Sequence, residues 1–180
     1  WNLTFHFLAG DFFQNNPFIL EKLTSYVREQ ALINKSKYLI DAYCGCGLFA
    51  LSLADHFEKI VGIEVSQTSA EWARYNAEFN HLKNVTIVTA SAEKVFLDIC
   101  FDANLSCVII DPPRAGCSKI FLQQLIKFNP RRIIYVSCDP STQMRDLKSF
   151  IKADYRLTEV QPFDLFPHTK HLECVITLEQ

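Results

Sequence analysis

Hydrophobic and polar positions along the chain fall into two alternating patterns. Short, nearly continuous apolar runs recur at 38–43, 59–65, 84–88, 107–111 and 132–136, most of them rich in β-branched residues. Such runs are expected of parallel strands covered on both faces. Between them lie stretches with helical spacing. Asn16 followed by Pro17 supplies an N-cap and a first-turn proline, after which Leu20, Leu23, Val27 and Ala31 recur on one face. Thr68 with Glu71 reads as a capping box ahead of Trp72, Tyr75 and Phe79 on a common face. Asp139-Pro140 opens a further helix, with Met144, Leu147 and Ile151 turned inward. The alternation predicts an open, doubly wound α/β sheet. Its ending differs: 155–161 and 172–178 are β-like and too close together for a crossover helix, so they are predicted to pair antiparallel.

Length and composition narrow this picture. A chain of 180 residues, 49% apolar and 21% charged, is expected to form one globular domain with a real core. That domain occupies 1–180, with 1–16 as a short lead-in. No apolar run approaches the ~18–20 residues that span a bilayer, so no membrane is expected. The opening Trp1-Asn2-Leu3-Thr4 has neither an initiator Met nor a signal-peptide pattern, and reads as the start of an excised piece of a longer protein. Seven cysteines, odd in number and irregularly spaced, point to a reducing intracellular compartment rather than a disulfide framework. A net charge of −2 argues against gripping nucleic acid by bulk charge alone, although a local basic patch remains compatible with it. His168, His171 and Glu173, like Cys44 and Cys46, match no strong zinc spacing, so no metal site is expected.

Candidate chemistry gathers at the strand ends. After the first strand comes Asp41-Ala42-Tyr43-Cys44-Gly45-Cys46-Gly47-Leu48-Phe49-Ala50, a G-x-G-x-x-A turn that lets backbone approach a ligand. Alone it is weak evidence, and a tight strand-to-helix turn is the alternative. Glu64, 23 residues beyond Asp41, ends the second strand, where a carboxylate accepts ribose hydroxyls. NAD and S-adenosylmethionine enzymes share that device. The fourth run ends in Asp111-Pro112-Pro113-Arg114, whose prolines carry the chain rigidly out of the sheet and leave Asp111 at its tip. Cys138 lies between a strand end and a helix N-terminus, where the helix dipole favours thiolate. Its alternative is a small buried hydrophobe. Glu173 is an acid in an apolar strand, where burial raises its pKa toward neutrality and suits it to proton transfer.

Phe12-Phe13-Gln14-Asn15-Asn16, the Asp41–Gly47 turn, Gly62-Ile63-Glu64, Asp111-Pro112-Pro113-Arg114, Ser137-Cys138-Asp139-Pro140 and His171-Leu172-Glu173-Cys174-Val175 occur in one order across nearly the whole chain. On these residues the chain resembles the RNA uracil-5-methyltransferase family, its eukaryotic tRNA members most. The resemblance implies a Rossmann-like, seven-stranded class I methyltransferase fold with S-adenosyl-L-methionine as cofactor. It implies that Gln14, Tyr43, Glu64 and Asp111 hold that cofactor, that Cys138 is the nucleophile and that Glu173 is the proton acceptor. Leu48 departs from the family, standing where bacterial relatives often carry a polar Asn. The implied substrate is a uridine of RNA, in the T-loop of tRNA or else in rRNA, with Asp111 or Arg114 helping to orient the base. No protein partner is implied. RNA-binding parts are expected upstream of this chain, and cytoplasm, nucleus and mitochondrion all suit the enzyme. The alternatives are a cytosine or amino-group methyltransferase, a nicotinamide oxidoreductase, and an RNA-binding module without catalysis.

Overall fold

The computed structural model describes residues 3–9, 13, 14, 16–92, 96, 99–165, 167–169 and 172–180. Asn16 caps α1 (Pro17–Leu32): its side chain accepts the Phe18 N–H, and Pro17 sits in the first turn, where no intrahelical donor is missed. Leu23, Val27 and Ala31 are buried on this helix as the spacing predicts, and Leu20 is half-buried. The chain then alternates through β1 (Tyr38–Ala42), the short α2 (Leu48–Ser52), β2 (Lys59–Glu64), α3 (Gln67–Phe79) and β3 (Val85–Thr89). It continues through β4 (Ser106–Ile110), α4 (Lys119–Phe128), β5 (Arg132–Ser137), α5 (Pro140–Lys152), β6 (Arg156–Phe163) and β7 (Glu173–Glu179).

These strands form one seven-stranded sheet in the order β3-β2-β1-β4-β5-β7-β6. β1 to β5 run parallel, and β7 lies antiparallel between β5 and β6. This is the doubly wound sheet with an antiparallel end that the sequence predicts. β4 and β5 are buried at every position because both faces of the sheet are covered. Successive residues point to opposite faces. Thus Ile40, Val108, Ile133 and Tyr135 pack with Phe121, Leu125, Leu147 and Phe150 of α4 and α5. Leu39, Ile109, Ile134 and Val136 pack on the other side with Leu23 and Val27 of α1 and with Phe49. The chain moves outward from β1 through β2 to β3 and returns to β4, so the strand order reverses between β1 and β4. A crevice opens there at the carboxyl ends of the strands. No helix among the described residues is long and apolar enough to cross a membrane.

Two helices differ from the sequence expectation in the face they bury. α3 is capped by Ser66, whose hydroxyl accepts the Ser69 N–H, and not by Thr68 and Glu71. Its buried face is Ala70, Ala73, Asn76 and Ala77, while Tyr75 and Phe79 are half exposed. Small side chains let the helix lie close to the sheet; the aromatics flank it, and His6 packs its ring edgewise on both Tyr75 and Phe79. In α5, Leu147 is buried, but Met144 and Ile151 are exposed and Gln143, Asp146 and Phe150 face inward. Polar partners turn the stripe: Gln143 Nε2 donates to Tyr135 O and Cys174 O, and Asp146 accepts from Tyr135 Oη.

Candidate functional site

A cavity of about 850 Å³ occupies the crevice where the strand order reverses, and Gln14, Tyr43, Glu64, Asp111, Cys138 and Glu173 all line it. Leu48 and Arg114 line it too. Its floor is the turn after β1. Gly47 is the N-cap of α2 with φ 93°, and a Cβ there would stand 3.0 Å from the Leu51 side chain, so the turn admits only glycine. Tyr43 itself holds a left-handed φ of 68° as it leaves β1. Such a conformation costs a non-glycine residue about 1–3 kcal/mol and is characteristic of binding sites.

The acids beside this turn are held by backbone donors. Glu64 accepts the Gly45 N–H at 2.9 Å on one oxygen and the Ser66 N–H at 2.7 Å on the other, which joins the β1 and β2 turns. Asp41 is buried beneath them and accepts the Ala50 N–H at 2.8 Å. Burial pushes its pKa up to about 7, opposed by that hydrogen bond and reinforced by the charge of Glu64. On the α3 side, the fully buried Asn76 donates to Cys46 O and His6 O and accepts the His6 N–H. It thereby ties the lead-in to the glycine turn. Phe13 stacks on Phe7 at 4.5 Å, and the next residue, Gln14, is buried with its Oε1 unpartnered.

The opposite wall carries the reactive groups. Asp111 stands at the end of β4, and the two prolines and Arg114 follow it. Cys138 follows β5 in a turn closed by Ser137, whose Oγ lies 3.1 Å from both the N and the O of Asp139. Glu173 opens β7; it is buried, its Oε1 has no partner, and burial raises its pKa to about 7. Asp111 is pushed well above the usual carboxylate range by burial and by the charges of Glu173 and Asp41.

For Cys138 the sequence expectation is reversed. Burial and the neighbouring Glu173 carboxylate, with a smaller effect from Asp111, raise the thiol pKa rather than lower it. Asp139 caps α5, accepting the Ser141 and Thr142 N–H groups, so these first donors of the helix are engaged by its own cap. What favours the thiolate is Arg114, whose charge and hydrogen-bonding capacity pull the thiol pKa back down. That pairing, like the anchoring role of Asn76, was not evident in the sequence; an Asn in line with the buried alanines of α3 was its one local signal. Phe12, Asn15 and His171 lie outside the described residues. Among those described, no group of three or more His, Cys, Asp or Glu is placed to hold a metal ion.

A family model for tRNA (uracil-5-)-methyltransferase matches residues 1–180. The chain belongs to that family. A tRNA (uracil(54)-C(5))-methyltransferase of Schizosaccharomyces pombe is 43% identical over 188 residues, covering 98% of this chain and 36% of the relative. The Saccharomyces cerevisiae protein of the same name is 40% identical, with 98% and 29% covered. The crystal structure of Pyrococcus abyssi tRNA (uracil-54, C5)-methyltransferase in complex with S-adenosyl-L-homocysteine matches with a TM-score of 0.82 at 35% identity, over 93% of this chain and 40% of that one. This member of the tRNA (uracil-5-)-methyltransferase family therefore spans about a third of the length of the two yeast relatives.

Proposed function

We propose that the chain carries the catalytic centre that transfers the methyl group of S-adenosyl-L-methionine to carbon 5 of a uridine in RNA, with tRNA as the substrate. One observation carries the reading: Cys138 and Glu173, from separate elements, open onto the same cavity as the strand-end carboxylate Glu64. The donor suits the residues present. Glu64 offers acceptor oxygens to ribose hydroxyls, and the buried, unpartnered Oε1 of Gln14 offers a further acceptor. Tyr43 and Asp111 complete that side of the cavity. When bound, S-adenosyl-L-methionine supplies an electrophilic methyl group on a sulfonium sulfur.

The chain's own residues then solve the weakness of uracil carbon 5 as a nucleophile. Cys138, its proton lost to solvent and its thiolate steadied by Arg114, adds to carbon 6. The π pair of the 5,6 double bond moves into an enolate, and carbon 5 takes the methyl group while the donor leaves as a neutral thioether. Glu173 removes the proton of carbon 5; the electron pair restores the double bond and expels Cys138. Arg114, beside the sulfur, also faces the charge that develops on the ring. A base within folded RNA is extruded to reach this site, at a cost of about a few kcal/mol.

We further assign RNA gripping to parts of the protein beyond this domain. The net charge of −2 and the greater length of the relatives support that assignment. The seven cysteines, outside any disulfide among the described residues, suit a reducing compartment. The test is 5-fluorouridine-substituted tRNA with S-adenosyl-L-methionine and the full-length protein, resolved by denaturing gel and mass spectrometry. Fluorine at carbon 5 cannot leave as a proton, so a methylated covalent complex through Cys138 is expected. Its absence with a protein that still binds the donor would overturn the reading. Thermal stabilisation by S-adenosyl-L-methionine but not by NAD separates methyl transfer from nicotinamide chemistry.

A further inference from the structure

Arg114 lines the cavity beside Cys138 from residues 111–118, a stretch without helix or strand. An exposed arginine on such a loop has many conformations, yet three side chains of α5, Thr142, Arg145 and Asp146, grip the loop's backbone. Thr142 Oγ1 donates to Arg114 O at 3.1 Å. Arg145 Nη2 donates to Ala115 O at 2.9 Å and to Cys117 O at 3.4 Å. Asp146 Oδ2 accepts the Cys117 N–H at 2.8 Å and the Tyr135 hydroxyl at 2.9 Å. Its Oδ1 pairs with Arg145, accepting from Nε at 2.9 Å and Nη2 at 2.8 Å. Gly116 fits against this cluster with φ 75°; a Cβ there would stand 2.6 Å from Arg145 Nη2 and 2.8 Å from Asp146 Oδ2.

We propose that Arg145 and Asp146 form a latch that sets Arg114 against Cys138, as positioning residues for the nucleophile. The inference rests on the reading of Cys138 as nucleophile. Both ends of the Cys138 turn feed the latch: Tyr135 lies on the strand before it, and Asp146 on the helix after it. The loop and the thiol are thus referenced to one carboxylate, whose side chain is 1% exposed. Taking a charge out of water is costly, and a loop needing only to be covered would not require it. The planar guanidinium also serves two ends at once, a carboxylate through Nε and Nη2 and two carbonyls through Nη2. An ammonium lacks that fork.

The test reads the thiol directly. Cys138 is alkylated with iodoacetamide across a pH series and quantified by peptide mass spectrometry, with the exposed Cys100 as internal reference. Glu173 on β7 and Asp111 and Arg114 on the loop line the same cavity as Cys138, and their charges act on the thiol. Arg114→Ala is expected to raise the midpoint of the Cys138 profile by about half a pH unit or more, as loss of a cationic partner does. Arg145→Ala, with its folding checked by circular dichroism and urea unfolding, is expected to reproduce most of that shift. The double variant should go no further than Arg114→Ala alone, and Arg145→Lys should fail to restore the wild-type midpoint. A wild-type midpoint in Arg145→Ala, or shifts that add in the double variant, would overturn the latch. So would an Arg114→Ala variant without a shift. Failure of the fluorouridine trap with these shifts intact would instead strike the methyl-transfer reading.

Discussion

Cys138 and Glu173 must both lose a proton before the proposed chemistry can proceed, and burial opposes the charge on each. The rate should therefore climb with pH. We expect the acidic limb of kcat/KM to turn near pH 7, where Glu173 ionises. A profile that rises with one unbroken slope from about pH 5.5 to about 8, without a break near 7, would remove Glu173 from the role of base. The same shift has a stability consequence of definite sign. Glu173 holds its proton up to about pH 7 when folded, against an ordinary value of 4.5. Between those limits the folded state binds more protons than the unfolded one, so stability falls as pH rises through 7. Glu173→Gln should lose that dependence, gaining about 1–3 kcal/mol on the wild type between pH 5 and 8 in urea unfolding. With RNA and donor, Glu173→Gln should accumulate a methylated covalent adduct, whereas Cys138→Ala should form none and turn nothing over; gel-shift and mass analysis separate the two.

At the level of helices and strands, what was legible in the sequence was local. Asn16 and Pro17 announce α1 because a cap and a first-turn proline act within a few residues. The apolar runs announce the strands because both faces of the sheet are covered. The faces of α3 and α5 were not legible, because their buried positions are set by partners far along the chain. Asp146 and Gln143 count as polar until Tyr135, Cys117 and Cys174 are known to receive them. The cap of α3 lay two residues from the expected one, since Ser66 and Thr68 both suit the position and backbone geometry decides between them. Ser66→Ala should accordingly destabilise the fold by about 1 kcal/mol and Thr68→Ala by much less, measured by urea unfolding. Equal losses would return the cap to Thr68.

Across the whole molecule, residues from Phe13 to Glu173 converge on one cavity, and that convergence was legible only as an ordered set of short motifs. The turn, the strand-end acid and the proline-rich exit could each be seen; the raised Cys138 thiol and its Arg114 partner could not, because they depend on packing. The unpartnered Gln14 Oε1 implies a trade between fold and ligand. Gln14→Met should preserve or raise the melting temperature of the ligand-free protein while shrinking the stabilisation given by S-adenosyl-L-methionine. Undiminished stabilisation would take Gln14 out of the binding site. The position of β7 bears on the order of synthesis. A ribosome delivers β5 and β6 before the strand that separates them, so the nascent chain carries the glycine turn and Cys138 while the open side of β5 still awaits its neighbour. An unpaired edge of that kind is a template for aggregation. Threading β7 into place closes that edge and delivers Glu173 in one event, so the hazard to the young chain ends when its proton acceptor arrives.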